Sequence, residues 1–233
     1  MSIVFSVIIV TLFMLIQALL QLKPATFSLL YHNALAKYSI KKSDNLALNY
    51  ILGSELFIVT LWLAMYYIFF SIFYLFPNFP TAILYWIIAG ILAATAISFF
   101  CFYFKKSPST TLFLSRRHAR SITARTASIK SPRDAFLLGF FINIPELIFT
   151  LPLYLLTAVL MQSTTVFPRA ITVIALVIAA VLPTFIILFA FHGSANLASI
   201  TRTRVKLKPF LRIIVPLCYI ITCAITIIGV LTW

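Results

Sequence analysis

Acidic residues are scarce in this chain: four in 233, against eighteen Lys and Arg. With so few carboxylates and no His or Cys at ligand spacing beside them, most hydrolytic and metal-dependent mechanisms have too few side chains to run on. Cysteine is scarce too. Cys101, Cys218 and Cys223 all lie in apolar runs and form no Cys-x-x-Cys pair, which reads as reduced, buried thiols. The three histidines, His32, His118 and His192, stand far apart and lack Asp, Glu or Cys companions, so neither a metal nor another cofactor is expected. None of the five glycines builds a phosphate-cradling loop, and there is no His-Glu-x-x-His and no glycine-flanked serine elbow. The expectation is a protein without enzymatic activity. An acid–base attack on membrane lipid stays open only because two carboxylates remain to be placed.

Charge of either sign is also rare. Charged residues make up 9% of the chain, against roughly a quarter in a soluble domain. What fills the sequence instead is long apolar runs, at about 2–21, 46–76, 80–104, 134–161, 168–192 and 210–232. Each reaches the roughly 18 residues that cross a hydrocarbon layer. The fold class is therefore an all-α integral membrane protein with six transmembrane helices in a single domain, 1–233. Pro77-Asn78-Phe79-Pro80 makes a tight turn between the second and third helices, since two prolines in four residues stop one helix and start another. The first run has no charged leader and no small-residue cleavage site, so it is expected to stay as helix one.

Direction follows from the Lys and Arg, which are kept on the cytoplasmic side of short loops. Segment 22–45 carries Lys23, Lys37, Lys41 and Lys42, and segment 193–212 carries Arg202, Arg204, Lys206, Lys208 and Arg212. The long loop 105–133 adds Lys105, Lys106, Arg116, Arg117, Arg120, Arg125, Lys130 and Arg133. Only Arg169 falls on the other side. Alternate loops are thus basic, which places both termini outside the cytoplasm of a plasma or inner membrane. The net charge of +14 is explained by these loops and by membrane lipid headgroups as their partners; nucleic acid is not expected. Loop 105–133 is read as lying on the membrane surface, partly helical.

The four acids carry the functional information. Asp44 and Asp134 each stand just before an apolar run and read as N-terminal caps of helices two and four. Glu55 lies 11 residues after Asp44, and Glu146 lies 12 after Asp134. At about 1.5 Å per residue, both fall near the middle of the layer on parallel helices. An ionised carboxylate facing lipid there costs several kcal/mol, so each is expected to face the bundle interior. Asn143 and Thr150 share a helix face with Glu146, and Pro145 removes a backbone bond beside it. A helix broken at mid-membrane is a recurring form of solute site. Neutral acids in interhelical hydrogen bonds are the plainer alternative, as is a simple kink for the prolines.

Leu22-Lys23-Pro24-Ala25-Thr26-Phe27-Ser28-Leu29-Leu30, then Asn33-Ala34-Leu35-Ala36 and Gly53, resembles the opening motif of the LysE-type exporter superfamily. Gly139 followed by Asn143-Ile144-Pro145 is similar to the Asn-Pro-containing fourth helix of those exporters and of the CcdA-like carriers. Here one proline stands where the family has two around a glycine, and Ile144 separates Asn143 from Pro145. The cysteines of a CcdA-like electron carrier are missing. The resemblance implies a 3+3 inverted repeat with a mid-membrane site near Pro24 and Pro145.

Two functions follow as expectations. The first is a transporter or exporter of a small solute or ion, proton-coupled, with Glu146, Glu55, Asn143, Thr150 and Pro145 on the path. The second is a non-transporting scaffold or accessory subunit that holds lipid or a cytoplasmic partner.

Overall fold

Apolar runs punctuated by proline set the layout. The computed structural model describes residues 3–20, 22–103, 116–163, 166–190 and 197–231, and among them all regular structure is helical. In chain order the helices are α1 (Ile3–Leu19), α2 (Leu22–Leu35), α3 (Ile40–Leu75), α4 (Thr81–Ser98), α5 (Arg116–Ser128), α6 (Pro132–Phe141), α7 (Leu147–Leu160), α8 (Val166–Ala190) and α9 (Leu197–Leu231). A π-helical turn, Phe99–Tyr103, extends α4, and a 3₁₀ turn, Met161–Ser163, extends α7.

Five stretches are long and apolar enough to cross a membrane: Ser6–Leu35, Ile40–Leu75, Thr81–Tyr103, Pro168–Phe189 and Lys206–Leu231. Their outer faces are greasy. On α8, Ile171, Ile174, Ile178, Leu182, Ile186 and Phe189 are exposed at three- and four-residue steps, while Leu176, Ala180 and Leu188 are buried behind them. Such a stripe on a helix whose other face is already packed fits lipid as the solvent. Inside, threonine hydroxyls bond back to carbonyls of their own helix, as Thr95 does to Ile91 and Thr222 to Cys218, which satisfies their donors within the helix.

Three readings of the sequence change. The first run does not end in a loop at 22. The chain breaks around Leu20 and resumes as α2, so that segment 22–35 is a largely buried helix and Lys23 is 2% exposed inside the bundle. Lys23 therefore drops out of the set of basic loop residues. The break is local chemistry: Pro24 is the third residue of α2, a first-turn position where the missing N–H goes unneeded. Second, the run 134–161 is two helices in series, α6 of 10 residues and α7 of 14, each too short to cross alone. Third, Asp44 does not cap α3. Ser39 holds the N-cap position, and Asp44 lies inside the helix, accepting a hydrogen bond from the Tyr31 hydroxyl at 2.8 Å.

Asp134 does stand in a capped first turn. Ser131 is the N-cap of α6: its hydroxyl accepts from the Asp134 N–H at 3.1 Å and donates to Asp134 Oδ2 at 2.7 Å. Ser131→Ala should lower stability by about 1 kcal/mol, read as a lower unfolding midpoint in detergent, whereas Ser131→Asp should restore it.

The basic loop is partly helical, as α5, whose C-terminal end docks on the far end of α2. Asn33 Nδ2 donates to Thr126 Oγ1 at 3.4 Å, the Lys37 ammonium to the Ala127 carbonyl, and the Tyr38 hydroxyl to the Ile129 carbonyl at 3.3 Å. Lys105, Lys106 and His192 lie outside the described residues. Arg169, alone on its side of the charge pattern, binds the end of α7. Its guanidinium donates to the Met161 carbonyl at 3.0 Å and the Gln162 carbonyl at 3.3 Å, the favourable place for a cation on a helix dipole.

Candidate functional site

The break between α6 and α7 starts from residues with special backbone needs. Pro145 has no N–H, and past Ile142 the turn bonds three residues back instead of four: Ile144 N–H to Phe141 O at 3.2 Å, Glu146 N–H to Asn143 O at 3.1 Å and Leu147 N–H to Ile144 O at 3.1 Å. Carbonyls at the end of α6 thus lose helical partners. Asn143 supplies one, its side-chain amide donating to Gly139 O at 3.0 Å and to the Ser54 hydroxyl of α3 at 3.3 Å. The turn then delivers Glu146 to the N-cap of α7, 3% exposed.

From there the Glu146 carboxylate reaches the other broken helix. Oε1 accepts the backbone N–H of Leu22, the first residue of α2, at 2.9 Å, and the hydroxyl of Tyr103 at 2.6 Å. Leu22 is one of the orphan donors that every helix leaves at its start, so Glu146 caps α2 across 124 residues of sequence. It sits at the positive ends of two helices, α7 through its backbone and α2 through its carboxylate. Tyr103 reaches it from the π-helical turn after α4, a geometry that re-aims side chains and recurs at functional sites. The Tyr103 ring stacks on Phe99 with centroids 4.0 Å apart.

Glu55 approaches the same turn of α2 from α3. Its Oε1 lies 3.7 Å from Lys23 Nζ, with the two side chains 12% and 3% exposed. That separation is an ion pair beyond hydrogen-bond length. Among the described residues, neither Lys23 Nζ nor Glu55 Oε2 has a hydrogen-bond partner. The Tyr50 hydroxyl donates to the Lys23 carbonyl at 3.1 Å. Leu22 and Lys23 therefore hold the two glutamates around one helix start.

A small cavity adjoins this centre, lined by Gln17, Phe57, Asn143, Glu146, Thr150 and Tyr154 among others, with about 10 Å³ open to the centre of a water molecule. One water occupies about that much. Gln17 Nε2 donates to the Tyr154 hydroxyl at 3.0 Å on its wall. Of the residues singled out from sequence, Asn143, Glu146 and Thr150 meet on this cavity, Pro145 shapes the turn behind it, and Glu55 stands apart on the Lys23 side. Lys23, Tyr103, Tyr50, Gln17 and Tyr154 were missed. A lysine beside Pro24 between two apolar segments was the one usable signal among them; tyrosines in apolar runs carry none.

Helical, apolar on its outer faces and with five helices long enough to cross a bilayer, the chain has the build of a multi-pass membrane protein. No protein family, curated protein or solved structure matches it in the comparisons made.

Proposed function

We propose that this is a six-pass membrane transporter or exporter of a small solute or ion, coupled to protons, with its site at the α2 N-terminus between Glu146 and Glu55. The observation that carries the reading is the meeting of two broken helices. Buried carboxylate, ammonium and helix N-terminus are gathered on backbone that a membrane tolerates only inside protein or beside a water-filled path. In this reading the first crossing is α1 with α2, the fourth is α6 with α7, and both termini lie outside the cytoplasm. A 3+3 inverted repeat is supported by matched packing. α3 packs on α6 and α7, α8 packs on α1 and α2, and the third helices of each half, α4 and α9, pack on each other. That arrangement is also what the resemblance to LysE-type exporters implies.

A second reading, a non-transporting scaffold, is favoured by one observation, the size of the cavity. Reconstituted vesicles with an entrapped pH dye separate the two. Under an imposed gradient, and with a panel of small solutes outside, the unmodified chain should move protons and Glu146→Gln should lose that flux by tenfold or more. Glutamine keeps the acceptor oxygen toward Leu22 and Tyr103, so the fold is expected to survive and the loss to report on the proton. Flux unchanged in Glu146→Gln sinks the assignment of that residue, and no flux of any kind in the unmodified chain favours the scaffold.

A further inference from the structure

We propose that the groove between α5 and α6 is a binding site for an anionic glycerophospholipid. The groove has a volume of about 410 Å³ and is lined by Arg125, Ser128 and Ile129 from α5 and the segment after it, and along α6 by Asp134 in its first turn and Leu137, Leu138 and Phe141 further on. The lining combines a guanidinium with an apolar helix wall, the pairing that a lipid's phosphate and acyl chain would meet. α5 carries no acid along its length, and of its arginines Arg125 lines the groove. No ion pair within 4.0 Å ties Arg125 to a carboxylate among the described residues. The acid on the groove, Asp134, is engaged by the Ser131 hydroxyl at the start of α6. A phosphate at Arg125 therefore meets a guanidinium that no carboxylate within 4.0 Å engages among the described residues.

The apolar wall does not stop at the groove. Leu137 and Phe141 are 41% and 49% exposed, and beyond the end of α6 the apolar Ile144 and Ile148 are exposed at 48% and 73%. Leu137 and Phe141, four residues apart on α6, share one face of that helix, beside the groove they line. An acyl chain laid on that face has its phosphate at Arg125. A soluble polyanion has no use for the face, and a bare basic surface has no need of the groove. The site rests on the membrane reading of the chain and not on the transport reading.

The test uses the full chain with Phe141→Trp as a reporter in bilayers that contain brominated phosphatidylglycerol or brominated phosphatidylcholine at equal mole fraction, with the quenching of the native tryptophans subtracted. Phosphatidylglycerol should bind about fivefold more strongly, the factor expected of one basic group beside an anionic lipid. Arg125→Gln should bring the two lipids to near parity, Arg125→Lys should keep most of the preference, and Arg117→Gln, outside the groove, should leave it unchanged. Equal quenching by the two lipids in the reporter chain overturns the site. So does an Arg117→Gln loss as large as that of Arg125→Gln, which describes diffuse attraction instead. A measurement without the reporter guards against a misfolded variant: phosphatidylglycerol retained through detergent purification, counted by mass spectrometry, should fall severalfold in Arg125→Gln. Equal retention there overturns the proposal as well.

Discussion

Lys23→Met should destabilise the folded chain by about 3–5 kcal/mol, and Glu55→Met by a similar amount, while the double replacement should cost far less than the two together. Both partners are buried, at 2% and 9% exposure, so neither is rescued by water when the other is removed. Their separation of 3.7 Å gives attraction without a hydrogen bond, and Nζ and Oε2 have no other partner among the described residues. Desolvation therefore takes back much of what the pair gains, and two methionines of similar volume replace it at little cost. Unfolding midpoints of the four proteins in mixed micelles measure the coupling. Additivity of the single losses within about 0.5 kcal/mol would mean the two charges do not interact. The double variant also separates structure from function. If the pair serves transport, a well-folded double variant loses proton flux; if it serves only to hold α2 against α3, flux and fold survive together.

That pair marks the limit of what is legible in the sequence. Apolar runs and their prolines are local properties, so the span that became α3, the turn at Pro77–Pro80 and the break beside Pro145 were all legible. α2 was not. Its segment holds Lys23, Thr26, Ser28, His32 and Asn33, which reads as a polar loop when the partners of those groups are unknown. It folds as a buried helix because its first N–H is capped by Glu146 and its lysine meets Glu55, contacts made across 124 and 32 residues of sequence respectively. Tyr103 was hidden for a related reason. Its aim depends on a π-helical turn, and nothing in Phe99-Phe100-Cys101-Phe102-Tyr103 distinguishes that turn from a continuing α-helix. Asn143 was legible as a polar residue three positions before Glu146 in an apolar run, and Pro145 because it disturbs the backbone on its own account.

Gly139→Ala should destabilise the chain by about 2–3 kcal/mol or more, and Gly53→Ala by a similar amount, because no side-chain motion relieves either change. α3 and α6 cross backbone to backbone. A Cβ on Gly53 would fall on the Phe136 carbonyl oxygen and 2.9 Å from its carbon; a Cβ on Gly139 would fall on the Tyr50 carbonyl oxygen and 2.8 Å from its carbon. Each helix thus offers a glycine to the other's carbonyl, the close approach that small residues permit between membrane helices. Adding one methyl forces the axes apart. Once apart, they leave room for the second, so Gly53→Ala with Gly139→Ala should cost clearly less than the sum of the two. The same displacement reaches the site. Ser54 follows Gly53 and meets Asn143 at 3.3 Å, and Asn143 holds the turn that positions Glu146. A variant at either glycine that remains folded should therefore show faster amide exchange at Leu22, whose N–H loses its cap. Strictly additive losses, or protection of Leu22 unchanged, would mean that the crossing and the polar centre are independent features of the fold.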